Sequence, residues 1–201
     1  MPVPIDRCNQ TNETTMRMPR TKREFEFTLV LKGLASVSDE VANALYEAGC
    51  DDATIAVCGG RVALTFGRSA ASMKDAILGA VRDIRKAGVG ADVWRVDDNN
   101  LVSQSDIARR IGRTRQMVHQ YVTGARGRGD FPPPACQHPD SAPLWLWRDV
   151  ARWLAENRLI GDEVVRDAEE IGIINTALDL KHQQESRPEL VAEAMAAVGC
   201  A

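Results

Sequence analysis

The sequence lacks the long apolar run that a membrane-spanning helix requires. No stretch approaches the ~20 consecutive apolar residues needed to cross a bilayer. The first 24 residues are polar, rich in Thr, Asn and Arg, and contain no apolar segment of the kind found in secretory signals. We therefore expect a cytoplasmic protein with no membrane partner. We expect residues 1–24 to form a disordered basic arm.

Cysteine is scarce and scattered. The chain has five cysteines, and none of them forms a CxxC pair. An odd, widely spaced set excludes a disulfide framework and favours a reducing compartment. Cys136 and His138 are close in sequence, but two ligands without a partner cluster are a poor zinc signal. We expect no metal and no cofactor.

Patterns typical of catalysis are also lacking. The chain has only three histidines, and no serine, histidine or cysteine stands in an obvious nucleophile setting. Asp51 and Asp52 invite an acid–base interpretation, but a polar turn between a helix and a strand explains them better. We expect no catalytic residue and no enzyme activity.

Charge is distributed unevenly, although the formal net charge is only −3. Residues 101–154 hold eight arginines and four acids, a balance of +4, whereas residues 25–100 balance at −3 and residues 155–201 at −6. A positive field concentrated on one segment is what binding to a phosphate backbone requires. Chance unevenness also produces such blocks, so the pattern supports nucleic-acid binding without proving it.

Residues 101–129 predict a helix-turn-helix and contain six arginines against one acid. Ser103 and Asp106 have the spacing of a capping box. Gly112 fits a left-handed helix end, and Thr114 can cap the second helix. Apolar residues at helical spacing supply the inward faces, namely Ile107, Ala108, Ile111, Met117, Val118, Tyr121 and Val122. A short glycine-containing turn between two such helices is typical of this motif.

The outward side chains near the start of the second helix are candidate DNA contacts. In this motif the second helix enters the major groove, where Arg binds guanine and Gln binds adenine through two hydrogen bonds. The candidate base contacts are Arg115, Gln116, His119 and Gln120. The candidate phosphate contacts, which position the protein without reading sequence, are Ser103, Arg109, Arg113, Thr114, Arg126 and Arg128. The alternative is a solvated helical hairpin inside an unrelated domain.

The next segment strengthens the DNA-binding hypothesis. Residues 129–154 contain a proline run, a polar loop, a short Trp-rich strand and a helix. A recognisable pattern is carried by Gly129, Phe131, Pro132, Pro134, Trp147, Val150, Trp153 and Leu154. Over residues 101–154 the chain resembles the AlpA-type prophage regulators and excisionases of the MerR superfamily. The resemblance implies a winged helix-turn-helix that binds double-stranded DNA, with its wing near residues 132–146.

The aromatic side chains of this segment have a simpler role than base stacking. We expect Phe131, Trp145, Trp147 and Trp153 to form the core of a small domain, because large apolar side chains are usually buried.

Residues 25–98 predict a separate ferredoxin-like α+β domain. β-rich segments at 25–33, 53–68 and 91–97 alternate with helical patterns at 38–49 and 69–88. Gly59 and Gly60 divide the middle β-rich segment into a hairpin. The order β-α-β-β-α-β is the ferredoxin-like arrangement, with both helices on one face of an antiparallel sheet. Such domains serve regulators as dimerisation or sensing modules, an analogy that rests on fold alone.

Residues 155–201 predict a long and a short acidic helix. The apolar stripe of the long helix is Val164, Val165, Ala168, Ile171, Ile174 and Leu178. The short helix has Ser186 as its cap, Pro188 in its first turn and Glu189 closing a capping box. These stripes either pack onto the rest of the chain, pair with a second copy, or dock a protein partner.

Together the patterns predict a sequence-specific, bacterial or phage transcriptional regulator that acts as a repressor or autoregulator. We expect a homodimer, because one short recognition helix gives modest specificity and symmetric half-sites are the usual remedy. Two alternatives stay open. One is an antitoxin or anti-effector protein whose acidic helices hold a partner while the winged module autoregulates. The other is an excisionase-type architectural factor.

Overall fold

A computed structural model describes residues 22–96, 100–137 and 142–199 of the 201-residue chain. The described residues form a mixed α/β fold, which confirms the predicted class at that level. Among them, no helix combines the length and the apolar character needed to cross a membrane. Most of the predicted basic arm lies outside the described residues, and the first strand already begins at Arg23.

Residues 23–96, here called the sheet region, form one antiparallel sheet with helices on one face. The strands β1 (Arg23–Lys32), β2 (Ala53–Cys58), β3 (Arg61–Ala70) and β4 (Asp92–Val96) lie in the order β2-β3-β1-β4. Helix α1 (Asp39–Leu45) continues into a π-helical turn (Tyr46–Cys50), and α2 (Met73–Lys86) follows β3. Alternate strand residues are buried, including Phe25, Phe27, Leu29, Leu31, Val62, Leu64 and Phe66. They pack with the apolar side of α2 into one core.

Two glycine predictions are confirmed and one helix start is corrected. Gly59 and Gly60 have φ of 57° and 76°, which suits the tight turn that joins β2 to β3. The second helix was expected from residue 69, but β3 continues to Ala70 because Arg23 of β1 pairs with it. The helix therefore starts at Met73, and Ser72 is its cap.

Residues 100–160, here called the aromatic region, have a core rich in aromatic side chains. Strand β5 (Leu101–Val102) pairs with β6 (Trp145–Leu146), and three helices surround them: α3 (Gln104–Arg110), α4 (Arg115–Val122) and α5 (Trp147–Glu156). The core includes Val102, Ile107, Val118, Tyr121, Trp145, Trp147, Val150, Trp153 and Leu154, with Phe131 packed against it. The predicted core role of the tryptophans is thus confirmed, since all three are at most 7% exposed.

Helix α6 (Asp162–Ser186) packs against both cores. Ala168 belongs to the aromatic core, whereas Ile171, Ile174 and Leu178 belong to the core of the sheet region. The buried Asn175 side chain accepts a hydrogen bond from the Val96 amide (2.8 Å) and donates one to the Val96 carbonyl (3.0 Å). It satisfies backbone groups at the edge strand β4 that would otherwise lack partners.

Helix α7 (Pro188–Ala197) has only one buried residue among those described, Val191. Leu190 and Val198 are 57% and 74% exposed, so part of its apolar face stays uncovered. The predicted capping box at Ser186 is wrong, because α6 extends through Ser186 and its hydroxyl donates to the Gln183 carbonyl. Pro188 does lie in the first turn of α7, as predicted.

Candidate nucleic-acid interface

The start of α3 is fixed by a capping box. The Ser103 hydroxyl accepts a hydrogen bond from the Asp106 amide (3.3 Å), and the Asp106 carboxylate accepts one from the Ser103 amide (3.0 Å). The Ser103 hydroxyl also donates to Asp106 Oδ2 (2.7 Å), so its one proton is used inside the protein. These hydrogen bonds from the hydroxyl and then from the amide hold the pKa of the Asp106 carboxyl below its ordinary value.

A tight turn joins α3 to α4. Gly112 has φ of 61°, a left-handed conformation that ends α3. The Arg113 amide then donates to the Ala108 carbonyl (2.9 Å). The Thr114 hydroxyl accepts from the Met117 amide (3.2 Å) and caps α4, as predicted. The turn therefore fixes the direction in which α4 leaves α3.

The outer face of α4 is polar and carries arginines that no described carboxylate neutralises. Arg115, Gln116 and His119 are exposed, Gln120 is half-buried, and Arg113 is exposed in the preceding turn. The first turn of α4 contains no acid. Within the described part of the chain, neither Arg113 nor Arg115 makes an ion pair. Cationic side chains therefore lie beside the positive end of a helix dipole.

Two of the predicted phosphate contacts already have partners. Arg109 pairs with Asp106 (2.6 Å), and Arg128 pairs with Glu156 (3.1 Å) and Asp130 (3.3 Å). The two arginine side chains are 74% and 55% exposed. Exposed pairs of this kind contribute about 0–1 kcal/mol, so a phosphate can replace the carboxylate at little cost. Arg126 is exposed and has no such pair among the described residues.

Tight contacts to α5 position the turn that carries Arg126 and Arg128. Gly127 has φ of 87°, and a Cβ at this position would lie 3.2 Å from the Trp153 ring. The Trp153 indole N–H donates to the Asp130 carboxylate (2.6 Å). The sequence predicted a core role for Trp153 but not its contacts with Gly127 and Asp130, although the Gly127–Gly129 spacing signals a backbone that approaches another group closely.

An antiparallel bridge between Cys136 and Leu144, here called the hairpin base, lies near the N-terminus of α4. The Ala135 amide donates to the Leu144 carbonyl (2.8 Å), and the Leu144 amide donates to the Cys136 carbonyl (2.9 Å). Residues 138–141 lie outside the described residues, and with them the tip of the predicted wing and His138 of the Cys136–His138 pair. The hairpin base and the helix pair enclose a cleft of about 180 Å³, lined by Ser103, Gln104, Ser105, Arg115, Ala142 and Pro143.

The described residues contain one cluster with metal-ligating side chains, formed by Asp92, His182 and Glu185. Lys32 Nζ lies 2.7 Å from His182 Nδ1 and 2.9 Å from Glu185 Oε2, and Lys181 pairs with Asp92. The lysines supply the positive charge that a metal would otherwise bring. The lysine hydrogen bonds lower the pKa of the Glu185 carboxyl. We interpret the cluster as an ion-pair network that holds α6 against the sheet.

Comparison of the chain with protein-family models, with curated proteins and with solved structures finds no match. The resemblance of residues 101–154 to AlpA-type regulators therefore stays a prediction from the sequence. The function has to be inferred from the exposed side chains themselves.

Proposed function

We propose that the protein is a double-stranded DNA-binding transcriptional regulator that reads base sequence through α4. In this proposal α3 and α4 are the helix-turn-helix, and the wing is the segment that has the bridge between Cys136 and Leu144 at its base, as in the MerR superfamily. The observation that carries the proposal is the outer face of α4. Arg113 and Arg115 are exposed there without a carboxylate partner among the described residues. Uncompensated arginines at a helix N-terminus are suited to the anionic surface of a duplex.

The spacing of the candidate base contacts supports groove insertion. With 3.6 residues per turn, Arg115, Gln116, His119 and Gln120 lie on an arc of about 140° on one side of the helix. Val118 and Tyr121 are buried on the opposite side. The helix can therefore present one polar side to base edges while its other side stays in the core. Arg and Gln at these positions have the donors and acceptors needed to distinguish base pairs.

The candidate phosphate contacts differ in how free they are to bind. Arg113 and Arg126 have no ion pair among the described residues, and Arg109 and Arg128 can exchange a weak pair for phosphate. The exposed Thr114 hydroxyl accepts its capping hydrogen bond and keeps its proton for a phosphate oxygen. Ser103 is the weakest candidate of the six, because its proton is donated to Asp106.

The sheet region fits a supporting role in a homodimeric, cytoplasmic regulator. Its strand order β2-β3-β1-β4, with every neighbouring pair antiparallel, supports the ferredoxin-like assignment. A symmetric dimer would place two α4 helices on two half-sites, which raises specificity beyond that of one short helix.

The proposal is tested by comparing three arginine variants of the full chain. Arg115→Ala should relax base preference and weaken specific binding by about 1–3 kcal/mol. Arg126→Ala should weaken binding to all sequences alike and lower the dependence of log affinity on log salt by about one. Arg152→Ala is the matched control, because this exposed arginine of α5 pairs with Glu169 and lies away from α4 in sequence. Selection of bound duplexes from genomic fragments, followed by gel shifts at several salt concentrations, measures all three.

Two results would contradict the proposal. One is a lack of enrichment of any duplex by the native protein at physiological salt. The other is a loss in Arg152→Ala equal to that in Arg115→Ala, which would show that binding follows total charge and not the α4 face.

A second candidate function is supported by the exposed apolar side chains of α7. Leu190 and Val198 are exposed within a segment, residues 155–201, that carries ten acids and four bases. This combination suits a basic amphipathic helix of a protein partner, as in an antitoxin that also regulates its own operon. A basic amphipathic peptide that binds the native chain but not Leu190→Arg would favour this function. DNA selection alone would not distinguish the two.

A further inference from the structure

The sheet has a second face that α1 and α2 do not cover, and α6 contacts it at Lys32, which alternates with the buried Leu31. Helices α1 and α2 pack against the face formed by Phe25, Leu29 and the other alternate buried residues. The opposite face carries the intervening side chains, including the exposed Glu24, Glu26, Thr54 and Arg61. We call this opposite side the open face. An uncovered face of an antiparallel sheet is either solvated or an interface.

Charge on the open face changes sign along the strands. Thr28 pairs with Thr65, which also pairs with Thr54, so three threonines form a row across the middle. Glu26 and Glu24 lie two and four residues to one side of this row on β1. Arg95 pairs with Val30, two residues to the other side, and Arg61 lies four residues beyond Thr65 on β3. The acidic and basic ends are therefore spaced equally about the threonine row.

Lys32, at the basic end on β1, is paired with Asp92 and Glu185, but four other charged groups of the two ends have no ion-pair partner among the described residues. None of Glu24, Glu26, Arg61 and Arg95 makes an ion pair with another described residue. The Arg61 guanidinium stacks over the Trp94 ring, 4.0 Å from its centroid. Arg95 Nε is buried and finds no hydrogen-bond acceptor in the described part of the protein. A buried N–H of this kind normally has a partner, so an acceptor from outside the described residues would complete the site.

We propose that the open face is the interface of the homodimer, with the open face of a second copy as its occupant. A two-fold axis along the threonine row reverses the strands, so the acidic end of each copy lies over the basic end of the other. Glu26 then approaches Arg95 of the second copy. Glu24 approaches Arg61 of the second copy, and in each case the two residues are offset sideways by about one strand spacing of 4.8 Å, which their long side chains can span. The central threonines and alanines are small enough for two sheets to pack at about 10 Å.

The same pattern disfavours a nucleic acid as the occupant, because the carboxylates of Glu24 and Glu26 would repel phosphates. The inference rests on the homodimer of the proposed function. It leaves α4 available in both copies, since α4 belongs to the aromatic region and not to the open face. Each copy could therefore present its own recognition helix to one half-site.

The test reverses the charge at the acidic end of the face in one variant and at the basic end in another. One variant combines Glu24→Arg with Glu26→Arg, and the other combines Arg61→Glu with Arg95→Glu. Each alone places like charges opposite one another, which should raise the dimer Kd by roughly 100-fold or more. An equimolar mixture of the two should form a heterodimer, because their charges are complementary again. Sedimentation equilibrium of the full chain measures association, and circular dichroism checks that each variant is folded.

Two further variants make the result interpretable. Glu40→Arg with Glu47→Arg is the matched control, since both residues are exposed in the helical layer on the other side of the sheet; it should dimerise as the native chain does. Arg61→Glu alone serves if the half-buried Arg95 proves necessary for folding.

The outcomes separate this inference from the proposed function. Reversed variants that dimerise with native affinity would overturn the assignment of the surface and leave the homodimer standing. A native chain that stays monomeric at high concentration would overturn both the homodimer and the interface, while DNA binding through Arg115 stays open to its own test. Binding of a single-stranded oligonucleotide, lost in Arg61→Glu with no change of mass, would assign the face to nucleic acid instead.

Discussion

Arg68 of the sheet region and Arg115 of the aromatic region differ in whether carboxylates of the same chain neutralise them. In the sheet region Arg68 donates to both carboxylate oxygens of Asp52 (2.7 and 2.8 Å), to Asp83 (2.7 Å) and to the Gly49 carbonyl (2.7 Å). Its side chain is 13% exposed, and the Asp52 hydrogen bonds raise its pKa. In the aromatic region Arg115 is exposed and has no carboxylate partner among the described residues. Arginine therefore stabilises the fold at position 68 and is available to bind a partner at position 115.

The two cores differ in a related way. The sheet region has two strands of ten residues and fills its core with phenylalanine and aliphatic side chains. The aromatic region has strands of two residues and helices of seven to ten, and three tryptophans with Tyr121 and Phe131 supply much of its buried surface. Large rings allow short elements to form a core, because each ring buries roughly 150–250 Å². Short helices in turn leave a large share of their side chains outside.

The largest expected effect on stability follows from removing Arg68. Arg68→Ala leaves Asp52 and Asp83 close together, half-buried and without their cation, so unfolding free energy should fall by about 2–4 kcal/mol. Urea denaturation followed by circular dichroism measures the change. DNA affinity of the folded variant should stay native, because Arg68 lies in the sheet region.

The matched control for this variant is Arg82→Ala, an exposed arginine of α2. It should change stability by no more than about 0.5 kcal/mol. Equal losses in the two variants would show that Arg68 is as dispensable as a surface arginine.

Local signals in the sequence were sufficient for several caps and turns, although not at Ser186, where the predicted capping box is wrong. The Gly59–Gly60 hairpin, the Ser103–Asp106 capping box and the Thr114 cap depend on residues within a few positions of one another. Chemistry of this range can be recognised from the order of residue types alone. The inward and outward positions on α4 could be predicted in the same way, since their assignment requires only the helical period.

Contacts between distant residues could not be predicted in this way. The partner of Asn175 is Val96, 79 positions earlier, and nothing in an apolar stripe marks one asparagine as a cap for a strand edge. The pairing of Arg128 with Glu156 is equally invisible in the sequence. The packing of α6 against both cores depends on how all the elements are arranged. The sequence therefore left three alternatives open for the apolar stripe of this helix.

A smaller effect is expected from the capping box of the helix pair, through pH. The folded protein lowers the pKa of Asp106, so this carboxylate adds stability above its unfolded pKa of about 4 and loses it as the pH falls through the lower, folded value. Asp106→Asn should remove that part of the acid sensitivity, and the two unfolding free energies should converge once the pH falls below the lowered pKa of Asp106. Urea titrations at several pH values between ~7 and ~3 measure the unfolding free energies of both chains.

Asp51→Asn is the control for Asp106→Asn, because Asp51 is exposed in the turn before β2. The prediction requires that the unfolding free energy falls more steeply on acidification in the native chain and in the control than in Asp106→Asn. Parallel curves for all three would show that the capping carboxylate does not contribute to the pH dependence.

The smallest expected effect on stability follows from removing arginines on the outer face of α4. Unchanged stability there is the result that the comparison of the two arginines predicts. Arg113→Ala with Arg115→Ala removes two exposed cations without an ion pair among the described residues, so unfolding free energy should change by less than about 0.5 kcal/mol. Relief of repulsion between the arginines should make any change slightly favourable. DNA affinity should fall in the same variant. A loss of stability as large as that of Arg68→Ala would mean that these arginines hold the fold together, and the contrast between the two regions would disappear.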